Sequence, residues 1–198
     1  MDLVVIHEHP EWQKPLFAAL DRRGLRWAPF DLKRAAFAPD ETPEAKVYFN
    51  QASPSAYVRG NTRAVPLALA YLRSLESAGK RVVNGSRAFS LELSKSWQAA
   101  LLQSLGVPTP RCLVFNDVEA LRSQLDGWTW PALLKPEQGG SGARMYFVES
   151  YDQLRTLLES KPDLWLPDNL LLLQEHFPYD ESRGIVRMEF LGGELLYA

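Results

Sequence analysis

The chain has 198 residues, 46% hydrophobic and 23% charged, enough for one globular domain or two small ones. Its net charge is −2 with lysines and arginines scattered along the chain, which excludes the basic footprint of a nucleic-acid binder, and no apolar run nears the ~20 residues of a membrane span. One cysteine, Cys112, excludes internal disulfides, fits a reducing cytoplasm and reads as structural.

The start, "MDLVVIHEHP", lacks a basic n-region and a cleavage site, so Leu3 to Ile6 reads as a buried first strand and not as a signal peptide. Glu11 to Arg23 carries Trp12, Leu16, Phe17 and Leu20 at helical spacing and ends at Gly24, a natural C′ residue. Strands follow at Arg26 to Leu32 and at Lys46 to Phe49. Asn61 or Thr62 can cap a helix presenting Val65, Leu69, Leu72 and Leu75, stopped by Gly79, and Lys80 to Asn84 reads as a fourth strand. Strand and helix taking turns predicts a doubly wound parallel sheet over residues 1–84.

Beyond residue 84 the rhythm changes. Ser90 to Leu105 reads as one helix, with Trp97, Leu101 and Leu105 spaced by four, broken at Gly106-Val107-Pro108. A strand is expected around Leu113 to Phe115, then a short helix to Leu125 opened by Asn116-Asp117-Val118-Glu119. Ser150 and Gln153 open another helix bearing Leu154, Leu157 and Leu158. Leu170 to Leu173 is apolar on both faces and belongs deep in a core, and Arg187 to Leu191 with Glu194 to Tyr197 reads as a hairpin around Gly192-Gly193.

Between these lies "LLKPEQGGSGARMYFV" at 133–148. A Walker A loop needs a lysine directly after its last glycine, whereas Lys135 precedes the glycines. A dinucleotide fingerprint needs a third glycine where Met145 stands. The flanks are apolar, and Pro136 cannot donate to a ladder, so the element is strand, glycine loop, strand. Such a hairpin is either a plain surface turn or a flap whose backbone N–H groups close on phosphate.

In this order the pieces resemble the ATP-grasp superfamily, most of all the branch of glutathione synthetase and the ribosomal-protein glutamate ligases. The matching blocks are "NGSRAFSLELSKSWQAALLQSLGVPTP" at 84–110, "WPALLKPEQGGSGARMYFV" at 130–148, "LLLQEHF" at 171–177 and "RGIVRMEFLGGELLYA" at 183–198. The resemblance implies an N-terminal domain, 1–84, preceding an ATP-grasp α+β domain, 85–198, whose C-terminal end is missing. Lys95 falls where a lysine reaches the ATP phosphates; alone it would read as a solvated surface lysine, and within the ordered blocks the resemblance implies binding. Lys135 falls beneath the nucleotide, and Gly139, Gly140, Ser141 and Gly142 form the flap over the β- and γ-phosphates. The stretch Gln174, Glu175, His176, Phe177 is the hinge where adenine meets backbone atoms. Glu175, or Asp180 or Glu181 a few positions on, is expected on the base or ribose. Arg187, with Arg183 beside it, is expected to face the γ-phosphate or an acyl phosphate, which suits a bidentate, always-charged guanidinium.

The family holds Mg²⁺ with an E-x-N element that this chain does not contain, so the metal ligands are expected outside it. ATP, Mg²⁺ and a small carboxylate or amino-acid-like substrate are the implied partners, without nucleic acid or membrane. The implied activity is carboxylate–amine ligation through an acyl phosphate; a non-catalytic nucleotide-binding module and a small-molecule kinase are the alternatives. In the first domain, His7 and His9 lack a third metal ligand at a recognisable spacing, and the loops at 7–11 and 50–61 lie where doubly wound sheets bind ligands. Arg59 and Arg63 are carboxylate clamps or ordinary loop arginines. A final strand pair with an unpaired edge leaves room for homo-oligomer formation.

Overall fold

The computed structural model describes residues 1–140, 142–178, 182, 184 and 186–198. Its first half is a four-stranded parallel sheet of β1 (Leu3–His7), β2 (Trp27–Asp31), β3 (Val47–Asn50) and β4 (Val82–Val83), in the order β2-β1-β3-β4. Parallel neighbours need crossovers, supplied by α1 (Pro10–Arg22) and α2 (Ala64–Ser77). Val4, Val5 and Ile6 of β1 are all buried, as a strand covered on both faces must be. In α2 the residues Val65, Ala68, Leu72 and Leu75 recur at three- and four-residue spacing and form the stripe that closes this core.

Two local expectations change. Neither Asn61 nor Thr62 caps α2. Arg63 holds the N-cap position without a side-chain hydrogen bond, and the Asn61 amide instead donates to the Glu8 carboxylate at 2.9 Å. Glu8 is 1% exposed, and a buried carboxylate takes the donors within reach. The helix expected over 90–105 is two helices, α3 (Ser86–Leu93) and α4 (Lys95–Ser104), broken at Ser94. Ser94 is extended, and its hydroxyl accepts from the Trp97 N–H at 3.0 Å, so a serine read as interior caps a new helix. Phe89 of α3 is buried in the first core, so that packing unit runs past Asn84 through α3, and the change of partner falls at Ser94.

The second half is an antiparallel sheet of β5 (Cys112–Phe115), β6 (Ala132–Pro136), β7 (Tyr146–Val148) and β8 (Leu171–Glu175), ordered β5-β8-β6-β7. Its inner face packs Phe115, Ala132, Leu134, Leu171 and Leu173 beneath α5 (Val118–Arg122) and α6 (Tyr151–Ser160). Both helices carry side-chain caps: the Asp117 carboxylate accepts from the Ala120 N–H at 2.7 Å, and the Ser150 hydroxyl from the Gln153 N–H at 3.2 Å. Side chains alternate across a strand, so Cys112, Lys135, Leu172 and Gln174 share the opposite face. That face positions the candidate site.

The last hairpin, β9 (Glu189–Leu191) and β10 (Glu194–Tyr197), turns through Gly192 and Gly193 at φ +59° and +88°. Two successive positive φ values suit a two-residue hairpin turn, and glycine adopts them without a Cβ clash. Every residue of both strands is exposed. Among the described residues no helix is long and apolar enough to cross a membrane.

Candidate functional site

On the open face of the second sheet, under α4, lies a cleft of about 310 Å³. Lys95, Gln98, Ala99 and Leu102 of α4 form one wall, Thr109 and Pro110 an end, and Cys112, Lys135, Leu172 and Gln174 the floor. Strand alternation explains the floor: Leu172 pairs with Lys135 and Gln174 with Cys112, all on one face. The walls are mostly apolar, with two ammonium groups and two amides among the lining side chains, the composition of a small-ligand site. Burial pushes the Lys95 ammonium below the ordinary lysine range; the Glu137 carboxylate opposes that shift and Lys135 reinforces it. Burial lowers Lys135 as well. Cys112, expected to be structural, is half-buried in the cleft floor, and burial pushes its thiol up.

Sequence reasoning missed Glu137. Its carboxylate is 6% exposed and accepts from the Ser94 hydroxyl at 2.5 Å, the Ser96 hydroxyl at 2.6 Å and the Ser96 N–H at 3.0 Å. It therefore fastens the N-terminus of α4 to the end of β6, with its negative charge at the positive end of the helix dipole. Lys95 closes the same joint from the other side, its Nζ donating to the carbonyls of Pro136 at 2.8 Å and Glu137 at 3.0 Å. The partners lie 41 to 43 residues apart in sequence, so no local pattern exposes them. Asp168 stands near the same joint, its carboxyl raised mainly by burial.

The glycine loop joins β6 to β7 as an antiparallel hairpin. Its tip leans on the 3₁₀ helix Pro54–Arg59 of the first half: a Cβ on Gly139 would sit 2.8 Å from the Tyr57 hydroxyl, and one on Gly140 2.9 Å from Ser55 Cβ. Only glycine admits that approach. Gly142 is left-handed at φ +69° with open space around it, and Ser141 lies outside the described residues. Arg144 anchors the return strand, donating to the carbonyls of Asp163 at 2.9 Å and Leu166 at 3.1 Å, with its guanidinium 5.5 Å from the Tyr57 ring.

The remaining expected residues separate. Gln174 is in the cleft with Lys95 and Lys135. Glu175 points to the other face, where its carboxylate accepts from the Arg111 N–H at 3.2 Å. With His176 and Phe177 it lines a second cavity of about 350 Å³ beside Thr129, Trp130 and Pro131. His176 meets Phe147 edge-on at 5.1 Å, and Phe177 is exposed. The flap glycines line neither cavity. Arg187 is exposed just before β9, outside both cavities, because the hairpin that carries it buries no residue. Asp180, Glu181 and Arg183 lie outside the described residues.

In the first half, Arg59 is not a free clamp. It is ion-paired to Glu8, donates to the Ser55 hydroxyl at 2.7 Å and covers the Trp12 ring at 4.5 Å. His7 is buried edge-on to Phe17, and burial lowers its imidazole. His9 caps α1, its Nδ1 accepting from the Trp12 N–H at 3.3 Å. Among the described residues no three His, Cys, Asp or Glu side chains gather as a metal site.

No protein-family model matches the chain. In overall shape it is similar to a RimK-domain ATP-grasp protein from Sphaerobacter thermophilus, with TM-score 0.67 and 18% identity over 90% of this chain and 64% of that one. The ATP-grasp ligase PsnB, solved with minimal precursor, Mg and ADP, gives TM-score 0.55 and 22% identity over 89% of this chain and 63% of that one. The chain has the ATP-grasp fold. In sequence the chain is 31% identical over 116 residues to N5-carboxyaminoimidazole ribonucleotide synthase of Synechococcus elongatus, covering 58% of the chain. It is 29% identical over 97 residues to phosphoribosylamine–glycine ligase of a Nostoc species, covering 48%. The matches span 28% and 23% of those two relatives' own lengths.

Proposed function

We propose that this chain is the nucleotide-binding part of an ATP-dependent ligase that joins a carboxylate to an amine through an acyl phosphate. One observation carries the reading: Lys95 and Lys135, far apart in sequence, meet in one mostly apolar cleft roofed by α4. The apolar walls suit a purine ring, and the two ammonium groups suit a polyphosphate. Solved neighbours of the same fold include ligases, and one of these, PsnB, was solved with Mg and ADP, which supports ATP as the nucleotide.

In the reaction so proposed, a carboxylate oxygen attacks the γ-phosphorus and ADP leaves, giving an acyl phosphate. An amine then attacks the acyl carbon, and inorganic phosphate leaves with its electron pair as the amide forms. Phosphoryl transfer needs positioning and charge neutralisation more than covalent help. Lys95 and Lys135 supply that charge from a desolvated position, where it acts more strongly than in bulk water. Glu137 keeps Lys95 on the joint between α4 and β6. The hairpin of Gly139, Gly140 and Gly142, which follows the strand that carries Lys135, would supply backbone N–H donors to phosphate. Magnesium accompanies the nucleotide in the PsnB structure, but among the described residues no set of His, Cys, Asp or Glu side chains gathers to hold it.

The test is an assay with ATP, Mg²⁺ and an amino-acid panel, on this chain and on its full open reading frame. ADP with an amide supports the ligase. ADP with a phosphorylated product makes it a kinase, and tight nucleotide binding without turnover makes it a binding module. At the level of a single residue, Lys135→Ala should lower the affinity for a non-hydrolysable ATP analogue by about tenfold to a hundredfold, the worth of a charge-assisted contact. The melting temperature should hold or rise. Burial lowers the Lys135 pKa below its unfolded value, so at neutral pH its charge opposes folding, and removing it relieves a desolvation penalty. Calorimetric titration and thermal melts read the two effects, and undiminished affinity would take Lys135 out of the site.

A further inference from the structure

The flap meets the first half at a hydroxyl that has nothing to bond. Tyr57 lies within the 3₁₀ helix Pro54–Arg59 and is 8% exposed, and its Oη is buried without a hydrogen-bond partner among the described residues. Burial pushes the phenol pKa up, so at neutral pH the group keeps its proton and can donate it. A buried donor without an acceptor carries a desolvation cost that a partner would offset. The helix beneath it is braced at both ends. Ser53 caps its start, accepting from the Ser55 N–H at 3.3 Å, and Gly60, left-handed at φ +78°, closes its end with an N–H on the Tyr57 carbonyl at 3.0 Å. Arg59 ties the same helix to the buried Glu8 carboxylate. On a support this rigid, the partner has to come to the hydroxyl.

The group that faces it is the start of the flap. A Cβ on Gly139 would sit 2.8 Å from the Tyr57 hydroxyl and 3.4 Å from its Cε1. Among the described residues the N–H groups of Gly139 and Gly140 have no acceptor. The Gly140 carbonyl is taken, accepting from the Ala143 N–H at 3.2 Å, whereas the carbonyls of Gln138 and Gly139 are not. Those two carbonyls belong to the same peptide units as the two free N–H groups. Both units are trans, so the C=O and N–H of each point in opposite directions. A flap that turns an N–H toward a phosphate on one side must turn a carbonyl toward the other.

We propose that Tyr57 is a positioning residue for the flap: when the N–H of Gly139 or Gly140 turns to a phosphate, the carbonyl of the same peptide unit turns to the Tyr57 hydroxyl and accepts a hydrogen bond from it. The bond exists only in the phosphate-bound arrangement. The first half therefore adds affinity for a polyphosphate without touching it, and the two halves grip each other harder with the ligand than without it. This rests on the nucleotide reading for the phosphate itself, and adds to that reading a residue from outside the cleft.

The experiment compares the full chain with Tyr57→Phe, which deletes only the hydroxyl. Without ligand the variant should melt at the parent temperature or above it, because the hydroxyl bonds nothing in that state. In calorimetric titration its affinity for a non-hydrolysable ATP analogue should fall about threefold to tenfold, the worth of one hydrogen bond. Hydrogen exchange at residues 138–140 should gain less protection from the analogue than in the parent. A second arm needs no nucleotide. Gly139→Ala should lower the ligand-free melting temperature, because its methyl meets the hydroxyl, and adding Tyr57→Phe should recover more than that change gives the parent. A lower ligand-free melting temperature in Tyr57→Phe makes the hydroxyl a structural group and overturns the proposal. So does undiminished affinity or protection in that variant, or no recovery in the double variant. A parent that binds the analogue while Tyr57→Phe binds it equally removes this role of Tyr57 alone; a parent that binds no analogue removes the nucleotide reading and this coupling with it.

Discussion

Glu137 shows how one side chain couples packing to chemistry. A carboxylate with 6% exposure is tolerated because two hydroxyls and a backbone N–H meet it, and because those donors begin a helix. The same contacts fix where Lys95 starts, since Lys95 lies between the two serines that Glu137 holds. Glu137→Ala removes three charge-assisted hydrogen bonds and takes the carboxylate acceptor from the Ser94 and Ser96 hydroxyls, so it should cost about 3 kcal/mol of stability. Glu137→Gln keeps an oxygen acceptor but turns an N–H₂ group toward hydroxyls that can also accept, and should cost roughly half as much. Urea titration of the three proteins reads both values. A loss below about 1 kcal/mol in the alanine variant would show that the joint is held elsewhere, and that Lys95 is placed by its own two carbonyl contacts.

At the scale of elements, the flap and the 3₁₀ helix it leans on form one contact between the two halves. Adding a methyl at Gly140 puts it 2.9 Å from Ser55 Cβ and 3.6 Å from Ser55 Cα, so relief requires moving backbone and not merely turning a side chain. Gly140→Ala should therefore lower stability by about 1 to 2 kcal/mol. In a double-mutant cycle with Ser55→Gly, the pair should be about 1 kcal/mol less damaged than the sum of the single changes, because the second substitution vacates the space the first one needs. Simple additivity would mean that flap and 3₁₀ helix do not touch in solution. This contact also marks the limit of what the sequence reveals. The alternation that named the parallel sheet and the run from Leu171 to Leu173 follows from local periodicity, and the strand–glycine–strand order names the hairpin. Periodicity did not reveal the break at Ser94, because a serine within a helical stretch looks the same whether it is interior or a cap. Nor did it reveal where the flap rests, because Ser55 and Tyr57 lie more than eighty residues upstream. The cleft was legible in part. Strand alternation explains why Lys135 and Gln174 share a face, while Glu175, one residue further, must turn to the other.

For the molecule as a whole, the two cores close without the final hairpin. Phe190, Leu191, Leu195, Leu196 and Tyr197 are between 50% and 70% exposed, and Val186 and Met188 just before them are 72% and 55% exposed. An apolar ribbon with solvent on both faces and a free strand edge invites another chain, by burial of its side chains or by pairing along its backbone. The chain as given should therefore self-associate, and the hairpin should be responsible. Phe190 and Leu195 stand opposite each other in the antiparallel register, so they can be replaced together by residues of opposite charge that keep the cross-strand attraction. Phe190→Asp with Leu195→Lys should shift the protein to monomer in sedimentation velocity. Its melting temperature should stay unchanged, because neither side chain belongs to either core. A parent chain that is already monomeric at tens of micromolar contradicts the expectation, because burial of even ~400 Å² of apolar surface is worth about 10 kcal/mol before the entropy of association is subtracted. A double variant that melts lower also contradicts it, since the ribbon must then be packed on the body of the protein.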